Sequence, residues 1–169
     1  MEDIKKEFGQ IYDQSVDKIY RFVYIKVNSK EVAEDLTAET FTKTWKAFEV
    51  SWREGSPIRD PKSFCYKTAR NLVIDYYRSK EKDSSVSLDS VQLADTSRSI
   101  EERAMINSDM SMVMKGLSGL KGDYQDVIIW RYLDELSITE IAELLDRSED
   151  ATRVLIHRAM TSLKKVLEA

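Results

Sequence analysis

The chain has 169 residues, with 26 Lys and Arg against 30 Asp and Glu, and a net charge of -4. One cysteine excludes a disulfide framework and a thiolate metal cluster, and the lone His157 excludes a multi-histidine metal site. The acidic total argues against a nucleic-acid partner unless charge is unevenly spread, because phosphate binding needs a basic footprint.

No apolar run approaches the roughly 18 residues of a spanning helix. The opening MEDIKKEFGQ also lacks a signal-peptide core, so a cytoplasmic protein without membrane insertion is expected. Glycine and proline are scarce, at 5 and 2, and helical spacing dominates. Ile4, Phe8, Ile11, Ile19, Phe22 and Val23 recur at helical intervals and predict one helix over about 2–27. Asn28 or Ser29 then offers an N-cap for a second helix ending near Glu49, with Val32, Leu36, Phe41, Trp45 and Phe48 as its apolar residues. Residues 50–60 (VSWREGSPIRD) read as a loop. Asp60-Pro61 is a helix start, since Asp caps and proline loses nothing at the first helical position. The third helix, about 61–80, carries Phe64, Cys65, Thr68, Ala69, Leu72 and Tyr76 on one stripe.

Composition then shifts. Residues 81–99 contain six serines and three aspartates with no apolar period, which marks a linker between two domains. Helical patterns resume near Ile100. Asp123 is positioned to cap a helix with Val127, Ile128, Trp130 and Tyr132. Ser137-x-x-Glu140 is a capping box ahead of Ile138, Ile141, Ala142 and Leu145, and Ser148 caps a last helix through Leu155, Ala159, Leu163 and Val166. The expected fold class is all-α: domains over 1–80 and 109–169 joined by a flexible acidic linker, 81–108.

The acidic total conceals a partition. Residues 1–80 are net +2, 81–112 net -4 and 113–169 net -2. Within 57–80, Arg59, Lys62, Lys67, Arg70, Arg78 and Lys80 face only Asp60 and Asp75, a local +4. Of 16 aromatics, 13 lie in residues 1–77, and rings interleaved with Lys and Arg are the usual platform for single-stranded nucleic acid. Phe64 and Tyr76, on the stripe, are expected in the core. Tyr66, Tyr77 and Trp52 are expected to be exposed.

Residues 137–158 (SITEIAELLDRSEDATRVLIHR) have helix-turn-helix spacing, with small Ala142 at the helix approach. Asp146 stands where the turn needs a positive φ, which Asp tolerates better than most residues. In such a unit the second helix enters the major groove by its N-terminal part. Ser148-Glu149-Asp150 there suits the helix dipole but repels phosphate. Arg153, His157 and Arg158 are the DNA-facing candidates, with Lys164 and Lys165 further along. On spacing alone a DNA-free three-helix packing unit fits equally well.

With these motifs in place, the whole chain resembles an extracytoplasmic-function (ECF) sigma factor, the minimal two-domain class of bacterial sigma subunits. EVAEDLTAETFTKTWKAFE (31–49) resembles that family's core-polymerase-binding helix. PKSFCYKTARNLVIDYYRSK (61–80) resembles its promoter-melting and −10-reading helix, with Ala69, Arg70, Asn71, Asp75 and Arg78 on the family pattern. Residues 117–165 resemble its −35-reading domain. The resemblance implies transcription initiation without chemistry by the chain itself. The partners it implies are the β′ clamp helices and β flap of core RNA polymerase and promoter DNA, and in many such systems an anti-sigma factor. It assigns core binding to Asp35, Leu36, Glu39, Phe41 and Trp45, of which Phe41 and Trp45 also suit a core role. It assigns the −10 strand to Trp52, Arg59, Lys62, Arg70, Asn71, Tyr77 and Arg78, and the −35 element to Arg153, His157, Arg158 and Lys164. The last helix departs from the family's usual E-G-T-V-K-S-R-L-H-R-A, carrying Asp150, Ala151, Thr152 and Leu155 where Gly, Thr, Val and an Arg are common. That puts −35 affinity in question.

Neither a glycine-rich phosphate loop nor a histidine-supported nucleophile occurs, so no catalytic residue, cofactor or metal is expected. The alternative to a sigma subunit is a sigma mimic that occupies an anti-sigma factor or the polymerase without reading promoters.

Overall fold

Apolar side chains recurring every three to four residues make helices with one buried face, and three such helices form the first unit. In the computed structural model, residues 2–82 and 108–168 are described, with side chains from Met112 onward in the second stretch. The expected linker lies outside the described residues, except that 81–82 and 108 belong to flanking helices. The described residues form seven α-helices and one π-helical turn. The chain divides into two compact units, Met1–Leu88 and Asp89–Ala169. No helix among the described residues is long and apolar enough to cross a membrane.

Helices α1 (Glu2–Val27), α2 (Lys30–Arg53) and α3 (Pro61–Lys82) pack pairwise in the first unit. Ile19, Phe22 and Val23 of α1, Phe48 of α2, and Cys65, Tyr66, Ala69 and Val73 of α3 are buried together in its core. Rings join α1 to α2: Phe8 meets Trp45 edge-on at 5.1 Å and Tyr12 meets Phe41 at 4.8 Å, geometries favoured by the ring quadrupole. Between these helices Asn28 takes φ 55°, ending α1, and Ser29 caps α2 by accepting from the Val32 N–H at 3.3 Å.

Three expectations change here. α2 runs four residues beyond Glu49, so Trp52 lies on its last turn and not in the loop, with its ring 6.2 Å from that of Phe48. The Glu49–Arg53 ion pair at 2.6 Å and the Ser51 hydroxyl on the Phe48 carbonyl accompany that extra turn. Tyr66, expected outside, is 1% exposed, whereas Phe64 and Tyr76 are only half-buried. The stripe on α3 is therefore rotated toward Tyr66 and Val73.

The second unit contains α4 (Ser108–Ser118), α5 (Gly122–Ile128), the π-helical turn Ile129–Leu133, α6 (Ile138–Leu145) and α7 (Glu149–Glu168). Lys121, not Asp123, is the N-cap residue of α5; Asp123 lies in the first turn and pairs with Arg147 at 3.3 Å. Val127 and Ile128 at the end of α5 and Ile129 and Trp130 at the start of the π-helical turn are all buried, whereas Arg131 is half-buried and Tyr132 exposed. Both arms of the Ser137–Glu140 capping box form, at 3.1 Å each.

Candidate nucleic-acid and polymerase interfaces

Asp35 and Glu39 stand one turn apart on the exposed face of α2, with Lys43 a further turn along and 3.7 Å from Glu39. Leu36 and Trp45 are half-buried beside that row. Phe41, assigned to core binding by resemblance, is 6% exposed and packs inward on Tyr12, so it supports the helix and presents no ring to a partner.

The opposite requirement, a face for an anion, is met on α3. Its start is organised by Asp60, whose carboxylate accepts from the Ser63 N–H at 3.2 Å and the Ser63 hydroxyl at 2.6 Å. Because Cys65, Ala69 and Leu72 face the core, Lys67, Asn71 and Arg78 share the exposed side. Lys67 was not among the sequence candidates, although its i, i+4 spacing to Asn71 carried the signal. Lys62 and Arg70 are half-buried at the margin, and Arg59 is exposed in the loop before the helix. Tyr77 is 41% exposed, but its hydroxyl donates to the Lys26 carbonyl, which ties α3 to the end of α1. Trp52 is 43% exposed at the end of α2. Lys80 lies 5.0 Å from the centre of the Tyr76 ring.

Cys65 lies below this surface. Burial pushes its thiol above the ordinary 9.0, a hydrogen bond with Thr44 acts in the opposite direction, and the negative charge of Asp60 adds to the rise.

In the second unit, α6 and α7 meet through a tight left-handed turn. Asp146 takes φ 54° and ψ 48°, as its position required. The Arg147 N–H bonds the Ala142 carbonyl at 3.0 Å and the Asp146 N–H bonds that of Glu143 at 3.3 Å, a Schellman closure. Ser148 then caps α7 by accepting from the Ala151 N–H at 3.1 Å. Ala142 is 5% exposed at the helix approach, and Thr152 is fully buried. One face of α7 opens onto a cleft of about 400 Å³ lined by Arg131, Ile138, Arg153, Ile156, His157 and Lys164, together with Tyr132 and Met160. Three sequence candidates, Arg153, His157 and Lys164, therefore converge. Arg158 is exposed elsewhere on the helix. Arg131 joins them from outside the helix-turn-helix; it donates to the Leu136 carbonyl at 3.0 Å, and helix periodicity gave no sign of its approach.

Two all-helical units, one with an aromatic basic helix and the other built on a helix-turn-helix, define the class of protein to which the chain belongs. The Sigma-70 region 2 family matches residues 11–83, and the Sigma-70, region 4 family matches residues 111–163. The chain is 30% identical to the Bacillus subtilis RNA polymerase sigma factor YlaC, over 92% of this chain and 88% of that protein. It is 28% identical to the Bacillus subtilis ECF RNA polymerase sigma factor SigW, over 95% of this chain and 88% of the relative. With the Streptomyces coelicolor ECF RNA polymerase sigma factor BldN it shares 30% identity over 95% of its own length but only 60% of that relative's. In fold it is similar to the Bartonella quintana sigma factor RpoE solved with the anti-sigma factor NepR, with TM-score 0.67, 22% identity and coverage of 100% and 99% of the two chains. It is likewise similar to CnrH solved with the cytosolic domain of CnrY, with TM-score 0.69, 18% identity and coverage of 97% and 89%. The chain belongs to the sigma-70 family of RNA polymerase sigma factors, in its ECF group.

Proposed function

We propose that this chain binds core RNA polymerase, directs it to a set of promoters and assists strand opening, performing no chemistry of its own. The observation that carries this reading is that region 2 and region 4 matches fall in order on the two units of one chain. The exposed acids Asp35 and Glu39, with half-buried Leu36 and Trp45, suit a basic or amphipathic partner helix and form the polymerase surface toward the β′ clamp helices. The second unit engages the β flap.

On α3, Asn71 has the donor and acceptor needed to read a base edge, while Arg70, Arg78, Lys67 and Lys62 hold phosphates. Trp52 and Arg59 flank a displaced base from α2 and the loop. Tyr77 acts there through its tie to α1. The cleft on α7, with Arg153, His157, Lys164 and Arg131, meets the −35 element, and Arg158 meets phosphate outside it. The complex of the Bartonella quintana relative with the anti-sigma factor NepR supports an anti-sigma factor as regulator. The place of action is the cytoplasm, with the polymerase.

The test is reconstitution with sigma-free core polymerase, transcript mapping and permanganate footprinting of unpaired thymines. Defined start sites with reactive thymines upstream of them are expected. Core binding without opening would instead identify a sigma mimic. Asn71→Ala with Arg78→Ala should lower opening roughly tenfold while core binding persists, the scale of one or two lost base or phosphate contacts. Asp35→Lys with Glu39→Lys should abolish core binding, and circular dichroism checks that the helices remain.

A further inference from the structure

The start of α7 carries two acids, Glu149 and Asp150, on a helix whose proposed task is to approach DNA. Their placement gives them a task of their own. Arg153 Nη1 donates to Asp150 Oδ1 at 2.9 Å, and Arg153 Nη2 donates to Glu149 Oε2 at 3.4 Å. Glu149 is itself held from α6, where Thr139 Oγ1 donates to its Oε1 at 2.7 Å. The guanidinium is thus braced by two carboxylates, one of them anchored across the helix-turn-helix, while its side chain stays 54% exposed at the cleft.

We propose that Asp150, with Glu149 and Thr139, is a specificity-determining positioning residue that locks Arg153 for bidentate reading of one guanine in the −35 element. This rests on the proposed promoter-reading role of the second unit.

A guanidinium carries five N–H groups in a fixed plane, and one bond from each terminal nitrogen to the carboxylates leaves three for a base. Guanine presents O6 and N7 side by side in the major groove, which matches two of those three, whereas the other bases do not offer that acceptor pair. The bracing carboxylates also cancel the charge that would otherwise let Arg153 settle on any nearby phosphate, so the helix gives up sequence-independent affinity and keeps base discrimination. Asp150 does not act by holding the fold together. Its side chain is 96% exposed, and pairs this open contribute little to stability.

The experiment uses holoenzyme reconstituted from core polymerase and the full chain, transcribing a promoter library randomised across the upstream element. With the wild-type chain, one position should be enriched for guanine by about tenfold, the scale of one bidentate contact. Asp150→Gly and Asp150→Asn should raise total transcription from the unselected library, steepen its fall with added salt, and cut enrichment at that position to roughly threefold or less. Asp150→Glu should restore part of the preference. Arg153→Ala should erase enrichment at the same position. An unchanged base profile in the Asp150 variants would overturn the proposal, as would a change at a position other than the one Arg153→Ala affects. If the wild-type chain enriches no base at all, the promoter-reading role fails and the proposal with it.

Discussion

Cys65 shows how far a single residue's chemistry depends on its surroundings. It lies on the apolar stripe of the third helix, and in the structure it is fully buried. A folded thiol held above its ordinary value is harder to ionise than the same thiol in the unfolded chain. Cys65 therefore contributes stability in full below the unfolded value and loses it as pH rises from about 9.0 through the folded value. Denaturant unfolding of the wild type should weaken more steeply across that alkaline range than that of Cys65→Ala; parallel slopes would remove the effect. Iodoacetamide at pH 8 should label the native thiol at least roughly a hundredfold more slowly than the urea-unfolded thiol, because the thiolate is the reactive form. Tyr66 is the counterexample. Periodicity set it off the stripe, yet it is 1% exposed, because the face of α3 that packs on α1 and α2 carries Tyr66 and Val73 beside Ala69.

On the scale of an element, α2 explains why a stripe of apolar residues locates a buried face only approximately. Its buried positions are Ala33, Thr37, Thr40, Phe41, Thr44 and Phe48, whereas Val32 and Leu36 are half-buried. Threonine escapes an apolar count, but the Thr40 hydroxyl folds back onto the Leu36 carbonyl at 2.7 Å and that of Thr44 onto the Thr40 carbonyl at 2.8 Å. With these two hydroxyls satisfied inside the helix, the Thr40 and Thr44 methyl groups can pack as aliphatic surface. Helix starts were far more legible, since Ser29, Asp60, Ser137 and Ser148 act through partners three residues ahead. Ser137→Ala removes one arm of a two-armed cap and should cost about 1 kcal/mol. Native-state hydrogen exchange should place that loss in α6 and α7, leaving α1–α3 unaffected. The π-helical turn was not legible, because apolar spacing along Val127 to Leu133 carries no mark that separates it from an α-helix.

At the scale of the whole molecule, each unit has a core of its own, built among the described residues from helices that follow one another in the chain. Such local topology predicts independent folding. A fragment covering Met1–Leu88 should unfold cooperatively by circular dichroism and keep affinity for core polymerase, while losing upstream promoter preference; an unfolded fragment would show that the first unit needs the second. The sequence by itself determined the helical class, the caps at Ser29, Asp60, Ser137 and Ser148, the turn at Asp146 and the charge partition behind the net -4. These depend on residues a few positions apart, where local sterics and hydrogen bonds decide. Tertiary structure alone decided that Trp52 closes α2, that Tyr66 is buried, and that Arg131 joins Arg153, His157 and Lys164 at one cleft. Those outcomes depend on which helix faces meet, on side-chain reach, and on where a π-helical turn shifts the register, and none of these follows from spacing along one helix.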